Sequence, residues 1–446
     1  MPAADLAWLL AAFALVILMF PGLAMFYGGM LNGRNVLNMS MMVMSTLAVT
    51  SVLYVLFGHG MVLGDSLGGL GLIGNPLEYF ALSDLTDSGS GGPETVYDVA
   101  FFLLFAAITV AIAASGAAGR MKFSGWLIFS ALWLTLVYFP LGHWVFAGDD
   151  PESGTVGGWM RNVLELHDFA GGTAVHMNAG VASLALALVL GKRRGRPERP
   201  HNVPLVLLGA GILWFGWFGF NGGSALGSSY LAQYVVLTTL LAGCTGMLGF
   251  CLVERLRDGK ATSLGLATGI VGGLVAITPA ADTLNPVGAL VVGFAGGAVV
   301  AWAVNWKTKL GIDDSLDAFA VHGVGGIVGT IGIILVGSAS SPGETAGILF
   351  GGSWDIVWRE LVAIAATMVF SFTVTYALAW CLDKTIGLRV DPEQETSGLD
   401  VSLHAESAYH LEAPTATVQQ ATVDVRVPAA EPVEAPKAEP AEAAQT

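Results

Sequence analysis

Asp168-Phe169-Ala170-Gly171-Gly172-Thr173-Ala174-Val175-His176 sets an acid and a histidine inside a stretch otherwise apolar enough to cross a membrane. Ionisable groups at that depth are expensive in hydrocarbon and mark functional positions. The pattern returns as Asp314-Ser-Leu-Asp-Ala-Phe-Ala-Val-His322, with the same eight-residue step from acid to histidine and the same Ala-Val-His ending. Such a recurrence points to an internal duplication.

The rest of the chain is of the same apolar kind. Of 446 residues, 54% are hydrophobic and 12% charged, and the mean hydropathy is +0.68. This lies far outside soluble globular domains and defines an all-α polytopic membrane protein. The formal charge is −15, but from Asp383 onward twelve acids face only Lys384, Arg389, Arg426 and Lys437, so −8 belongs to the tail. An acidic balance placed there excludes nucleic acid as a partner.

The three cysteines, Cys244, Cys251 and Cys381, are odd in number and lie in apolar runs, which reads as small core residues and not as a disulfide or metal framework. No nucleophile elbow, phosphate loop, zinc spacing or dinucleotide fingerprint stands in a fitting context. No enzyme activity, cofactor or metal is therefore expected. The first basic residue is Arg34, and the first apolar run is too long for a signal peptide. We read that run as a retained spanning helix.

Apolar runs long enough for about 30 Å of hydrocarbon fall at 7–31, 36–60, 96–118, 123–146, 163–190, 203–225, 231–253, 262–280, 286–304, 315–337 and 357–382. These eleven spans place the termini on opposite sides. Seventeen of the nineteen Lys and Arg, including Arg34, Arg120, Lys122 and the Lys192 to Arg199 cluster, fall on one side; Arg161 and Arg359 fall on the other. The bias sets the N-terminus outside and the C-terminus in the cytoplasm, with the acidic loop 64–95 external.

Span five then runs inward from Asp168 and span ten outward from Asp314. Eight helical residues rise about 12 Å, so both histidines are expected near the midplane. This is the pattern of an inverted five-plus-five repeat, with halves at about 1–200 and 201–340 and the helix at 357–382 as an extra element. Phe-Tyr-Gly-Gly at 26–29 and Phe-Asn-Gly-Gly at 220–223 add a weaker match between spans one and six. Glycine strings such as 269–273, 293–297 and 323–329 suit close helix packing. The expected organisation is a membrane domain over 1–383, a polar cytoplasmic segment over 384–412 and a disordered Ala/Pro/Glu-rich extension over 413–446.

Two neutral imidazoles facing one another in an apolar channel can relay a proton or hydrogen-bond a small polar solute. The competing reading, a pair satisfied only by interhelical hydrogen bonds, does not account for the duplicated acid. His59 and His143 lack duplicated partners and read as structural or near a pore mouth. Asp168 can attract a cation or cap backbone amides at a helix start, and capping is the more economical role. Phe101, Phe102, Phe105, Phe146, Trp214, Phe215, Trp217, Phe218 and Phe220 crowd toward the outer ends of spans three, four and six. Such rings fit a cation site and an interfacial belt equally.

The segments 168–176, Trp-Phe-Gly-Phe-Asn-Gly-Gly-Ser at 217–224, and Asp-Asp-Ser-Leu-Asp-Ala-Phe-Ala-Val-His-Gly at 313–323 resemble the ammonium transporter (Amt/Mep/Rh) family, in its bacterial Amt form. The resemblance runs from span one to about His410. It implies a homotrimer of eleven-helix protomers in the cell inner membrane, each with its own pore for ammonium or its analogue methylammonium. It further implies that His176 and His322 are the twin pore histidines, with Asp168 beside an outer recruitment site containing Phe105, Phe146 and Ser224. Phe105 and Phe220 correspond to a stacked gate, with Trp217 and Asp314 in support. The tail, in Gly387-Leu-Arg-Val and Gly398 to Tyr409, is similar to a cytoplasmic segment that responds to PII-type signalling proteins.

Where many bacterial members carry a cage tryptophan, this chain has Phe146, and a phenyl face binds cations more weakly than indole. Trp144, two residues along a helix, points elsewhere. The resemblance implies that ammonium is recruited and deprotonated, and that ammonia is conducted with separate proton transfer. Two alternatives are a neutral Rh-like channel for ammonia or carbon dioxide, and a membrane ammonium sensor that transports nothing.

Overall fold

Hydrocarbon offers backbone amides no water, so an apolar chain crosses it as helices that satisfy their own hydrogen bonds. The computed structural model describes residues 2–86, 93–194 and 199–409, and among them eleven helices are long and apolar enough to span. These are α1 (Ala3–Met30), α2 (Val36–Leu63), α3 (Val96–Ala117), α4 (Phe123–Phe146), α5 (Gly172–Leu190) and α6 (Val203–Gly223). They continue as α7 (Tyr230–Asp258), α8 (Ser263–Ala280), α9 (Pro286–Leu310), α10 (Phe319–Val336) and α11 (Asp355–Thr385). Short polar side chains start several of them: Asn202 accepts from Leu205 N, Thr262 from Gly265 N and Asn285 from Gly288 N, each satisfying one orphan amide.

At the starts of α5 and α10, the two duplicated stretches, the hydropathy runs begin well before the helices do. Span five was expected from 163 and begins at Gly172; span ten was expected from 315 and begins at Phe319. The step from acid to histidine is therefore not eight helical residues, and the rise of about 12 Å does not apply. In both places the chain enters the left-handed region three residues after the acid, at Gly171 (φ 97°) and Asp317 (φ 63°), which interrupts any helix. The acid then caps the helix that follows. Asp168 Oδ2 accepts from Thr173 N and Asp314 Oδ2 from Phe319 N, both five residues on and both at 2.8 Å. Each helix opens with a wide π turn, Gly172–Met177 and Phe319–Val324, which carries its histidine.

The two halves run in opposite senses. Trp8, early in α1, donates to Gly222 O at the end of α6, while Asn202 N, before α6, donates to Gly29 O at the end of α1. Likewise Asp314, before α10, accepts from Ser183 in the second half of α5. Where α5 and α10 cross, Gly180 meets Gly323 so closely that a Cβ on Gly180 would stand 2.3 Å from Gly323 N. Glycine is required there because the two backbones occupy the space.

After α11, α12 (Pro392–Ser397) packs on α13 (Leu399–His404), which packs against α2. Asp400 Oδ1 accepts from Asn38 N at 2.8 Å, and Leu399 N donates to Asn35 Oδ1 at 2.9 Å. Met1–Ala408 form one compact unit, so the polar segment after residue 383 is continuous with the helices above it. Of a second unit, from Tyr409 onward, only Tyr409 is among the described residues. The extension expected to be disordered at 413–446, residues 87–92 of the external loop and Arg196 of the basic cluster lie outside them.

Candidate functional site

The first turns of α3 and the last turns of α4 and α6 meet the non-helical stretch before α5 around a cavity of about 290 Å³. Phe105, Phe146, Ser224 and Asp168 all line it, together with Phe101 and Phe102. The Ser224 hydroxyl donates to Phe220 O at 2.9 Å, so its lone pairs remain to accept from a cation's N–H. Asp168 is used differently. Oδ1 accepts from the amides of Gly171 and Gly172 at 2.9 and 2.6 Å, and Oδ2 from the amide and hydroxyl of Thr173. A carboxylate has about four acceptor positions, and all four are taken. Asp168 can therefore act on a cation only through its field.

Below the cavity, the rings of Phe105 and Phe220 stack with centroids 4.0 Å apart and planes 3° from parallel. Phe105 faces this cavity, while Phe220 lines a second one, so the stacked pair separates the two. Phe146 sits edge-on to Phe105 at 6.1 Å. Beyond the pair the lumen narrows to about 10 Å³, walled by apolar side chains including Phe26 and Leu213 and by His176, His322 and Trp217. Phe26 and Phe220 are the aromatic positions of the Phe-x-Gly-Gly repeat, and both reach this lumen.

The two histidines meet with Nδ1 atoms 3.2 Å apart. One Nδ1 must donate and the other accept, so the neutral pair holds opposite tautomers; charging both rings would set two N–H groups against each other. Trp217 lies over His176 at 5.3 Å and 22°, and its Nε1 donates to Thr278 Oγ1 at 2.9 Å, fixing the indole. Asp314 is buried, and besides capping α10 it accepts from Ser115 at 2.6 Å and Ser183 at 2.9 Å. It thus ties α3, α5 and α10 together beneath the histidines.

Between α9 and α10, Asp313 pairs with Arg193 at 2.9 Å and with Arg120 at 3.3 Å. Burial would raise its pKa, but the two guanidinium groups hold it well below the usual carboxylate range. Asp317 pairs with Lys307 at 2.8 Å. Burial, opposed by Lys307 and assisted by Asp314, pushes it up to about 6.

Several residues lie apart from the site. Trp144 donates to Leu72 O at 2.7 Å and packs on Trp159 and Phe370. His143 meets Val62 O at 3.0 Å, and His59 packs against Tyr54 and Tyr79. Phe215 is exposed. Three polar residues not singled out from the sequence stand at the outer site: Arg161 and His167 line the cavity, and Glu360 of α11 is fully buried and accepts from His167 N at 2.9 Å. Glu360 carried a usable signal, an acid inside an apolar span. His167 carried only its place beside Asp168.

A polytopic helical transporter with a narrow apolar lumen, shut by a stacked aromatic pair and crossed by two facing histidines, is the class that this fold and site define. The chain belongs to the Ammonium Transporter Family, whose sequence model matches residues 7–409, and ammonium is its substrate. It is similar to an ammonium transporter of Corynebacterium glutamicum, 56% identical over 412 residues that cover 92% of this chain and 90% of that one. An ammonium transporter of Mycobacterium tuberculosis is 47% identical over 448 residues, covering 94% and 93%. Among solved structures, a sensor Amt protein matches with a TM-score of 0.80 at 29% identity, covering 90% of this chain and 98% of that one. Saccharomyces cerevisiae Mep2 matches with a TM-score of 0.75 at 32% identity, covering 88% of each.

Proposed function

We propose that external ammonium is recruited by the ring faces of Phe105 and Phe146 and the hydroxyl of Ser224, in the field of Asp168, and is deprotonated before the Phe105–Phe220 pair. Ammonia then crosses the lumen past His176 and His322, and the proton crosses separately, so that uptake carries current. The observation that carries this reading is the lumen, about 10 Å³ with walls that are apolar apart from Trp217 and the two histidines. It has room for roughly one water-sized body and no ligand set to replace a cation's hydration shell, whereas neutral ammonia needs none. Potassium cannot lose a proton, so the same walls reject it.

The histidine pair supports the separate proton path, because a bond between two Nδ1 atoms is indifferent to which ring holds the proton. Asp168 holds the entrance open by capping α5, and Trp217 and Asp314 position His176 and α10. The protein is a transporter and not an enzyme.

The seventeen-to-two distribution of basic residues supports a bacterial inner-membrane location with the N-terminus outside and the C-terminus cytoplasmic. Residues 1–383 are the transport domain in this reading, and 384–412 the regulatory segment. The family resemblance supports a homotrimer and a PII-type protein docking at that segment. The test is ammonium-evoked current in proteoliposomes, for the unaltered chain and for His176→Ala with His322→Ala, with potassium as control. Ammonium current without potassium current, lost or made unselective in the variant, is the expected result. Ammonia uptake without current would favour the neutral gas channel instead, and neither would favour the sensor.

A further inference from the structure

The cavity proposed to collect a cation has a positive charge built into its wall. His167 lines it with 20% of its side chain exposed. Nε2 stands 2.9 Å from Asp282 Oδ1, and a carboxylate only accepts, so Nε2 carries a proton. Nδ1 stands 3.0 Å from Thr345 Oγ1, whose single proton can go to Gly343 O, also at 3.0 Å. With that proton on Gly343 O, Nδ1 donates as well, and a ring that donates from both nitrogens is an imidazolium.

The surrounding charges agree. Asp282 faces the ring from the segment between α8 and α9, Glu360 accepts its backbone amide from α11, and Asp168 adjoins it in the chain. Arg161, the other cation on the cavity wall, donates to Phe146 O. Burial alone would lower the pKa of His167, but Asp282 first, then Glu360 and Asp168, bring it to about 9.

We propose that His167, locked as an imidazolium by Asp282 and Thr345, sets the affinity of the outer cavity: its fixed charge opposes that of Asp168 and weakens ammonium binding. A weakly held cation is passed on to the gate more readily than one trapped in an uncompensated acidic pocket. His167 is a positioning charge and not a group that touches the reacting nitrogen. The inference rests on the outer cavity being the recruitment site.

The experiment is methylammonium uptake into proteoliposomes at pH 7, with KM and maximal rate determined separately. His167→Gln leaves Asp282 uncompensated and should lower KM by about three- to tenfold, the effect of one unit charge several ångströms away at intermediate dielectric. Asp282→Asn removes the charge that holds the imidazolium, so the ring gives up its proton and KM should stay close to the unaltered value, as it should in the double variant, which has the original net charge. A merely structural role would lower the maximal rate in both single variants with no fall in KM for His167→Gln, and that result would overturn the proposal. So would a KM for His167→Gln that is unchanged or raised.

If His167→Gln does not fold, His167→Asn serves, with the same expected fall in KM, and an unchanged KM there overturns the proposal. Ser224→Ala tests the underlying reading on its own. An unchanged KM there would remove the recruitment site, whatever His167 does.

Discussion

Replacing Asp168 by Asn changes one atom and separates two kinds of helix cap. An amide has one acceptor oxygen where the carboxylate had two. Its best orientation keeps that oxygen on the amides of Gly171 and Gly172 and turns the NH2 toward Thr173. The Thr173 hydroxyl can rotate to accept, but the Thr173 backbone N–H, 2.8 Å away, cannot. One charge-assisted bond is lost with its donor unpaired, and the other three, the one to the Thr173 hydroxyl included, fall from charged to neutral. With charged bonds at about 1.5–3 kcal/mol and neutral ones at about 1 kcal/mol, the cost is about 4 kcal/mol.

Asp314→Asn, its counterpart in the repeat, should cost less. Its oxygen stays on Phe319 N, while the NH2 faces the Ser115 and Ser183 hydroxyls, which can accept. Only charge assistance is lost, about 2 kcal/mol. Thermal unfolding of the purified variants in detergent, followed by tryptophan fluorescence, should therefore place Asp168→Asn below Asp314→Asn, and both below the unaltered chain. If Asp314→Asn proved equally or more damaging, the argument from donors that cannot turn would be wrong.

Phe146→Trp should tighten half-saturation for methylammonium by up to about tenfold, since an indole face adds roughly 0.5–1 kcal/mol or more to a cation contact; no change would remove Phe146 from the recruitment site. Gly180→Ala should destabilise the protein and abolish transport, because its Cβ would lie 2.3 Å from Gly323 N, next to His322. Gly211→Ala, with open space around its Cβ, is the matched control and should be neutral or slightly stabilising. The pKa of His167 is raised from 6.5 to about 9, so its ion pair stabilises fully below pH 6.5 and is lost as pH rises through 9. The unaltered chain should lose up to about 3 kcal/mol over that window, and His167→Gln should lose distinctly less. Equal losses in the two proteins, read from unfolding midpoints at stepped pH, would count against the Asp282 pairing.

The spans, their number and the duplicated motif were legible in the sequence because hydrocarbon imposes a length and an apolar composition that few other constraints imitate. Those constraints act residue by residue along the chain, so counting suffices. The starts of α5 and α10 were not legible. An apolar run looks the same whether its first residues are helical or not, and only a carboxylate bonded to specific amides, with left-handed backbone at Gly171 and Asp317, ends the ambiguity. The outer site divides in the same way. Phe105, Phe146 and Ser224 were identifiable by resemblance. That Asp168 has no acceptor position left for a cation depends on a local backbone path, three to five residues on, that hydropathy does not record; that Trp144 turns to Leu72 and that His167 is held between Asp282 and Thr345 depend on residues 72 to 178 positions apart in the chain. Hydropathy records which residues enter the membrane. Which lone pairs remain free once they are there is decided by the neighbours that the tertiary fold supplies.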